Sequence, residues 1–313
     1  MNELYVVGSI NIDESIFLDT LPIAGETKYG QQFSKSIGGK GANQALAAAT
    51  LGVPTHFIGK MGNDGEAQRV LDIMKEKHIE TSGITIDDQV ATGKAYILCE
   101  NSENRIILNP GANGALTTQE VLPYLTGKPD DILLVQFELP MEVTKEAIRL
   151  AKQNQMRVVL NPAPADRVAL ELLNDVDYLV INQSEAELLT GEYPNTLEEG
   201  KRVYERLREY GLQKCILTLG ANGSLYFDAT TAHEAPPLFV EAVDSTGAGD
   251  AFIGAFIYGL LQNESVADTL YRANVTGALA CLTIGAENAT PTLSVIKQQL
   301  KGENTGDNTN TTH

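Results

Sequence analysis

The segment Asp244-Ser245-Thr246-Gly247-Ala248-Gly249-Asp250-Ala251-Phe252 carries the residue types that a phosphoryl-transfer site needs. Glycines at 247 and 249 remove side chains, so backbone N–H groups can crowd around an anion. The small, apolar run 251–257 predicts a buried helix. Its N-terminus, with free N–H groups and a positive dipole end, then falls on those glycines. Asp250 lies in the first turn, where the charged form of a carboxylate is favoured. It could accept the proton of a hydroxyl while the amides of Gly247, Ala248 and Gly249 hold the incoming phosphate. An ordinary helix start after a glycine turn uses the same residues, so the weight of the segment depends on what accompanies it.

Other polar groups fall at regular places. Asn11 and Asp13 are two residues apart after the first apolar run and project to one face of a strand. Glu14 then points the other way. A carboxylate beside an amide suits adjacent hydroxyls, each of which donates and accepts. Ser36-Ile37-Gly38-Gly39-Lys40-Gly41-Ala42-Asn43-Gln44 opens the Ala-rich helix 45–50 and allows backbone to approach a ligand closely. It is not a Walker A loop, since Lys40 is followed by glycine where Ser or Thr would bind the metal, and it lacks the third glycine of a dinucleotide fingerprint. Glu138, Asn161-Pro162-Ala163-Pro164, Asn182-Gln183-Ser184-Glu185 and Thr218-Leu219-Gly220-Ala221-Asn222-Gly223 each follow an apolar run, at the position of a strand's carboxyl end.

The elements that must position these residues read as an α/β chain. Strands are expected at 4–10, 132–137, 157–160, 178–181, 215–219 and 224–227, with helices at 142–154, 197–210 and 267–282. Continuous Val/Ile/Leu runs separated by helices predict a mostly parallel sheet covered on both faces. Ligands in such sheets bind at the carboxyl ends of strands. Two stretches, 15–35 and 91–109, are β-type and turn-rich without a helix, which predicts a small antiparallel lid. Beyond residue 301 the polar tail has nothing to bury and is expected to be disordered. The expected division is a discontinuous core of 1–12, 36–90 and 110–301, a lid of 13–35 and 91–109, and a tail of 302–313.

With 313 residues, 43% of them apolar and 20% charged, the chain has ample material for a core. A formal charge of −18 argues against nucleic acid as a partner. It also means that an anionic ligand must be met locally by amides, a few Lys or Arg, and a divalent metal. Cys99, Cys215 and Cys281 stand singly, and the four His form no ligand pattern. No basic, long-apolar leader opens the chain, and no run reaches the ~18 apolar residues of a membrane span. These features predict a soluble, cytoplasmic protein with no membrane partner.

Six motifs, in this order and approximate spacing, resemble the ribokinase-like (PfkB-type) carbohydrate kinases: Gly8-Ser9-Ile10-Asn11-Ile12-Asp13, Gly38-Gly39-Lys40-Gly41-Ala42-Asn43-Gln44-Ala45, Asn161-Pro162-Ala163-Pro164, Asn182-x-x-Glu185, Thr218-Leu219-Gly220 and Gly247-Ala248-Gly249-Asp250. The resemblance runs from about residue 4 to about residue 300. The last motif is common to the whole superfamily and speaks for the reaction class. The Gly-Gly-Lys-Gly-Ala-Asn-Gln-Ala stretch is narrower and favours the ribose-specific branch over fructokinase-like or adenosine-kinase-like members.

The resemblance implies a three-layer αβα sandwich with a mostly parallel central sheet and a small β-strand lid. It implies ATP-dependent phosphorylation of the 5-hydroxyl of D-ribose, with Asp250 as general base and the 247–249 amides as anion hole. Asn11, Asp13, Gly39, Lys40, Asn43 and Glu138 would line the sugar pocket. Asn182, the loop of Thr218, Gly220 and Gly223, Gly249 and Asn274 would contact ATP. Glu185 would act on the phosphates and Mg2+. A monovalent cation, K+, is implied at Asp244, Thr246, Ala280, Thr283, Gly285 and Ala289, several of them through backbone oxygens. The chain departs from the family there, where Arg can stand at the position of Thr283 and Ser at that of Ala289. A homodimer through the lid is implied as well. Competing readings are the same chemistry on 2-deoxyribose, a ketohexose or a nucleoside, and a sugar-binding regulator without catalysis. A nicotinamide dehydrogenase would also suit the sheet, but no Gly-x-Gly-x-x-Gly follows the first strand.

Overall fold

A computed structural model describes residues 2–100 and 103–306 of the chain. In chain order the elements are β1 (Leu4–Val7), β2 (Asn11–Leu18), β3 (Gln32–Gly38), α1 (Lys40–Thr50), β4 (Thr55–Gly62), α2 (Ala67–Glu76), β5 (Glu80–Asp87), β6 (Gly93–Glu100) and β7 (Glu103–Asn109). They continue with α3 (Thr118–Val121), β8 (Ile132–Val135), α4 (Met141–Gln153), β9 (Arg157–Leu160), α5 (Ala169–Leu172), β10 (Tyr178–Asn182), α6 (Gln183–Thr190) and α7 (Leu197–Arg208). The last are β11 (Cys215–Thr218), β12 (Ser224–Phe227), β13 (Ala232–Ala235), α8 (Ala248–Leu261), α9 (Val266–Ala280) and α10 (Leu293–Gly306).

The main sheet has the order β13-β12-β11-β10-β9-β8-β1-β4-β5, parallel from β11 to β5 and antiparallel at β12 and β13. Successive side chains on a strand face opposite ways, so each buried strand feeds two cores. Leu4 and Val6 pack with Leu46, Phe252, Ile253 and Leu270 from α1, α8 and α9. Tyr5 and Val7 pack with Val143, Ala147, Leu189 and Val203 from α4, α6 and α7. The expected three-layer αβα architecture follows from that alternation. The strands β4 and β5, not expected from sequence, complete one edge; β5 is a half-exposed edge strand without a continuous apolar run.

The small sheet has the order β3-β2-β6-β7. It occupies the two stretches expected for the lid, but it is mixed rather than antiparallel throughout. β2 and β6 pair in parallel, with Asn11 opposite Gly93, while β3 and β7 flank them antiparallel. The reason is topological: β2 follows β1 and β6 follows β5, so both leave the main sheet from the same carboxyl edge. Lys94 Nζ pairs with Glu14 at 2.9 Å across that central pair. The turn expected at 100–104 falls partly on residues 101 and 102, outside the described residues. At the other end of the chain, α10 continues past 301 to Gly306, and residues 307–313 of the expected tail lie outside the described residues.

Two seams of small residues bring α1 into place. A Cβ on Gly41 would lie 2.5 Å from Ser9 N and 2.6 Å from Gly8 Cα, so the start of α1 touches the backbone at the end of β1. A Cβ on Gly254 of α8 would lie 2.6 Å from Ala47 Cβ and 2.7 Å from Ala48 N of α1. Gly254→Ala should therefore cost about 1–3 kcal/mol of stability in urea unfolding. Gly65→Ala, where a Cβ meets nothing within 4 Å, should stay within about 0.5 kcal/mol. Equal losses at both positions would contradict the close packing of α1 on α8.

Candidate active site

Strand order reverses around β1, which lies between β4 and β8. Such a switch point opens a crevice at the carboxyl ends of the strands. Gly8 and Ser9 stand at the end of β1, and Gln136 to Glu138 at the end of β8. The N-terminus of α1 closes over them. Its N-cap, Gly39, has φ 87, and a Cβ there would lie 2.8 Å from Asn11 N, so glycine is required on both counts. Glu138 accepts hydrogen bonds from Ser9 Oγ and from Lys40 N (3.0 Å). Ser9 Oγ in turn takes Gly41 N at 3.3 Å, and Ser9 O takes Ala42 N at 2.9 Å. A carboxylate and a serine thus satisfy the first amides of α1, as a helix N-terminus favours.

The second helix end is that of α8. Gly247 sits in the left-handed region with φ 81 and precedes the first turn. Ala248 N donates to Ser245 O at 3.2 Å. Among the described residues, the amides of Gly247, Gly249 and Asp250 take no protein acceptor. Two of the three donors expected for an anion are therefore free, and the third is engaged in a turn. A Cβ on Gly249 would meet nothing within 4 Å, and the residue lines an open cleft. The Asp250 carboxylate is held from α1: Gln44 Nε2 donates to Oδ1 at 2.9 Å and Asn43 Nδ2 to Oδ2 at 3.2 Å.

Asp13 completes an acidic wall. It is buried, and its carboxyl is pushed up to about 7, first by burial and then by the charges of Glu138 and Asp250. Its Oδ1 has no partner among the described residues. Gly38 lies against it so closely that a Cβ there would overlap the carboxyl group. Asn11 Oδ1 accepts from Asn113 Nδ2 at 2.8 Å, and the backbone of Ile10 fixes the same Asn113 amide from both sides. Asn11, Asn113 and Glu138 line a cavity of about 460 Å³ beneath the lid, with Phe137 and Pro164 as apolar neighbours.

A second cleft, of about 340 Å³, lies on the far side of the α8 N-terminus. Thr218, Gly220, Gly223, Gly249 and Asn274 line it, against an apolar wall that includes Leu238 and Phe239. Asn274 spends its amide hydrogens on Ala235 O (3.0 Å) and Pro236 O (2.8 Å), so it anchors the loop beside the cleft and has only Oδ1 to offer a ligand. Asn182 and Glu185 stand at the end of β10 in a capping box, each side chain bonded to the other's backbone N–H at 2.8 Å. The Glu185 carboxyl is raised by burial and by Asp250, against the lowering pull of the Asn182 amide and the Lys40 charge. The Lys40 ammonium thus acts at the Glu185 end of the site, whereas its backbone holds Glu138.

The residues expected around a monovalent cation also come together. Asp244 accepts from Thr246 N (2.9 Å) and Gly285 N (2.8 Å), tying two loops. Burial raises its carboxyl, but those N–H donors outweigh burial and hold it below the usual carboxylate value. Ala280 and Ala289 pack against Ala251 of α8, and Thr283 N donates to Ala280 O at 3.1 Å. No group of three or more His, Cys, Asp or Glu suited to a metal occurs among the described residues. A cation here would rest on one carboxylate and on main-chain or hydroxyl oxygens.

Sequence reasoning missed Ser9, Gln44, Asn113 and Gln136 as site groups. Gln136 had a visible signal, an amide inside the otherwise apolar run Ile132–Val135 and Phe137. Gln44 had a weaker one, a polar residue in an alanine helix, and Asn113 had none.

Asp13 binds its proton more readily in the folded chain than at its ordinary value of 3.8. Folding therefore takes up a proton between about pH 4 and about pH 7, and stability falls as pH rises through that window. Asp13→Asn should flatten that slope, which denaturant titrations at about pH 5 and about pH 8 would reveal. An unchanged slope would remove Asp13 as its source.

Comparison with known proteins places the chain in a family. The pfkB family carbohydrate kinase model matches residues 1–293. A ribokinase from Lactococcus lactis subsp. lactis is 36% identical over 308 residues, covering 96% of this chain and 98% of its own. A deoxyribokinase from Salmonella typhimurium is 30% identical over 301 residues, covering 95% and 98%. The structure of Arabidopsis thaliana ribokinase complexed with ribose and ATP superimposes with a TM-score of 0.86 at 27% identity, covering 96% of this chain and 99% of that one. With the family model spanning nearly the whole chain and the two-cleft site in place, this chain belongs to the pfkB family of carbohydrate kinases.

Proposed function

We propose that this chain transfers the γ-phosphate of ATP to the 5-hydroxyl of D-ribose. The observation that carries the reading is the place of Asp250: at the N-terminus of α8, beside the free amide of Gly249 that lines the apolar cleft, and close enough to Asp13 for its charge to act there. The acidic side suits a polyhydroxylated sugar. Asn11, Asp13, Asn43 and Glu138 offer acceptors and amides to its hydroxyls, and Gly39 and Lys40 close the pocket through the main chain. The apolar side suits a nucleotide base, with Thr218, Gly220, Gly223 and Asn274 around it and Asn182 toward the phosphates. Relatives named as ribokinases support ribose as the acceptor.

Asp250 takes the proton of the hydroxyl as that oxygen forms a bond to the γ-phosphorus, and ADP leaves with the electron pair of the broken P–O bond. The amides of Gly247 and Gly249, joined by Ala248 once its turn bond yields, stabilise charge on the transferring oxygens. Lys40 adds a positive charge near Glu185. Mg2+, bound with ATP, would neutralise phosphate charge, and Glu185 is the residue suited to hold it through water. Potassium at the loop of Asp244, Thr246, Ala280, Thr283, Gly285 and Ala289 would brace the amides of the anion site. The lid excludes water from the sugar. Its exposed Phe33, Ile106 and Ile107 favour a homodimer through that sheet. Three free cysteines and dependence on ATP suit the cytoplasm, and no described helix is long and apolar enough to cross a membrane.

Asp250→Asn should lower kcat at least about a hundredfold while ribose binding changes little. Near-normal turnover in that variant would rule Asp250 out as the base. Glu138→Ala should raise the KM for sugar far more than that for ATP, and equal effects would take Glu138 out of the sugar pocket. The deoxyribokinase relative supports 2-deoxyribose as the second reading. ADP production with ribose, 2-deoxyribose, fructose or adenosine, with and without potassium, tests the acceptor. A best substrate other than ribose would overturn the pocket assignment and leave the transfer chemistry standing.

A further inference from the structure

Beneath the sugar cavity, one carbonyl, three amides and one carboxylate form a row whose polarity is forced. Val180 O can only accept, so Asn161 turns Nδ2 toward it, at 3.0 Å. Asn161 Oδ1 then faces α1 and can only accept, and Gln44 Nε2 meets it at 3.0 Å. The second hydrogen of that amide goes to Asp250 Oδ1, at 2.9 Å. Gln44 Oε1 is left facing β8, where Gln136 Nε2 donates to it at 2.6 Å. Gln44 is 0% exposed and Gln136 1% exposed, so no water competes for either amide. The sense of the whole row follows from a main-chain carbonyl at one end and a donor at the other.

We propose that Gln136 is a positioning residue for phosphoryl transfer. By donating to Gln44 Oε1 it braces the Gln44 amide against Oδ1 of Asp250, which stays an acceptor, and leaves Oδ2 as the oxygen that takes the substrate's proton. This rests on Asp250 as the base. During transfer the substrate O–H bond breaks, its proton moves to Oδ2, the oxygen bonds to phosphorus, and the bridging oxygen leaves with ADP. Asn43 Nδ2 reaches Oδ2 at the longer distance of 3.2 Å, and a hydroxyl can take its place there.

The fold bears a cost for this residue. Gln136 Oε1 is buried with no partner among the described residues. A Cβ on Gly8 would lie 2.7 Å from it, so the glycine at the end of β1 leaves it room. The residues on either side of Gln136, Val135 and Phe137, are apolar, and its Nε2 is the donor that the buried Gln44 Oε1 needs.

The charged groups facing Asp250 are Asp13 on β2 and Glu185 on α6, with Glu138 beyond the first and Lys40 beyond the second. None of them touches Gln136 in the hydrogen-bond network. Gln136→Met keeps the volume and removes the donor, so Gln44 Oε1 is left buried without its partner and the amide that donates to Asp250 is no longer held from the β8 side. The expected result is a fall in kcat of about tenfold at neutral pH, with the acid limb of the kcat profile raised by about one pH unit. The KM for ribose should stay within about twofold, and the melting temperature should fall, because the buried Gln44 Oε1 loses its donor. The double variant with Gln44→Met should lose no more than Gln44→Met alone, because both act through one bond. Gln136→Leu gives the same readings if the thioether variant does not fold. An acid limb that does not move, or losses that multiply in the double variant, overturns the proposal. If Asp250→Asn is inactive in that case, the base assignment survives and only the role of Gln136 falls. If Asp250→Asn turns over, the base assignment falls and the role of Gln136 with it.

Discussion

The approach of α1 to the end of β1 is the constraint on which the site depends. Backbone meets backbone there, since neither Gly8 nor Gly41 could carry a Cβ without displacing the other. That contact puts the first turn of α1 within reach of Glu138 and Ser9, and it sets Asn43 and Gln44 on the side facing α8. The Gly254–Ala47 seam brings α8 up to meet them. Two helix N-termini therefore converge on one crevice, and interiors packed at crystal-like density hold such convergence to a fraction of an ångström. A larger side chain at any of these glycines would move both helix ends apart.

Charge is the second organising feature. Asp13, Glu138 and Asp250 crowd the proposed sugar side, and Glu185 stands beyond them, in a chain with a net charge of −18. The carboxyl of Asp13 is pushed up, first by burial and then by the charges of Glu138 and Asp250, and one of its oxygens has no partner among the described residues. Such a wall is suited to hydroxyls, which supply the missing donors. It is unsuited to a phosphate, whose proposed place is on the other side, at the free amides of α8 and the Lys40 charge. The division of the site into an acidic and an amide-lined half separates the proposed sugar and phosphate positions.

The lid is joined to this arrangement at its base. Ile37 N donates to Glu287 Oε2 at 2.8 Å, and Arg69 of α2 reaches the same oxygen at 2.8 Å. Glu287 lies two residues beyond Gly285, which binds Asp244. The strand that leads into Gly38 and Gly39 is thus tied to the loop around Asp244. A parallel central pair, rather than a hairpin, lets two separate crossovers feed the lid from one edge of the main sheet.

Much of this was legible in the residues themselves. Apolar runs alternating with amphipathic helices indicated the layered sheet, because burial on both faces requires continuous Val, Ile and Leu. Polar residues just past apolar runs marked Glu138, Asn11, Asp13 and the Thr218 loop, and glycines at a helix start marked Asp250, because strand ends and helix N-termini have local signatures. The edge strand β5 was not legible, since it has no continuous apolar run. The parallel pairing in the lid depends on where two distant strands leave the main sheet, and no local pattern encodes that. Nor could the sequence pair Gln136 with Gln44, or Gln44 with Asp250, across separations of 92 and 206 residues. Residue types and short spacings determined which groups could do chemistry. Only tertiary packing decided which amide faces which oxygen, because a hydrogen bond is set by distance and direction in space rather than by order along the chain.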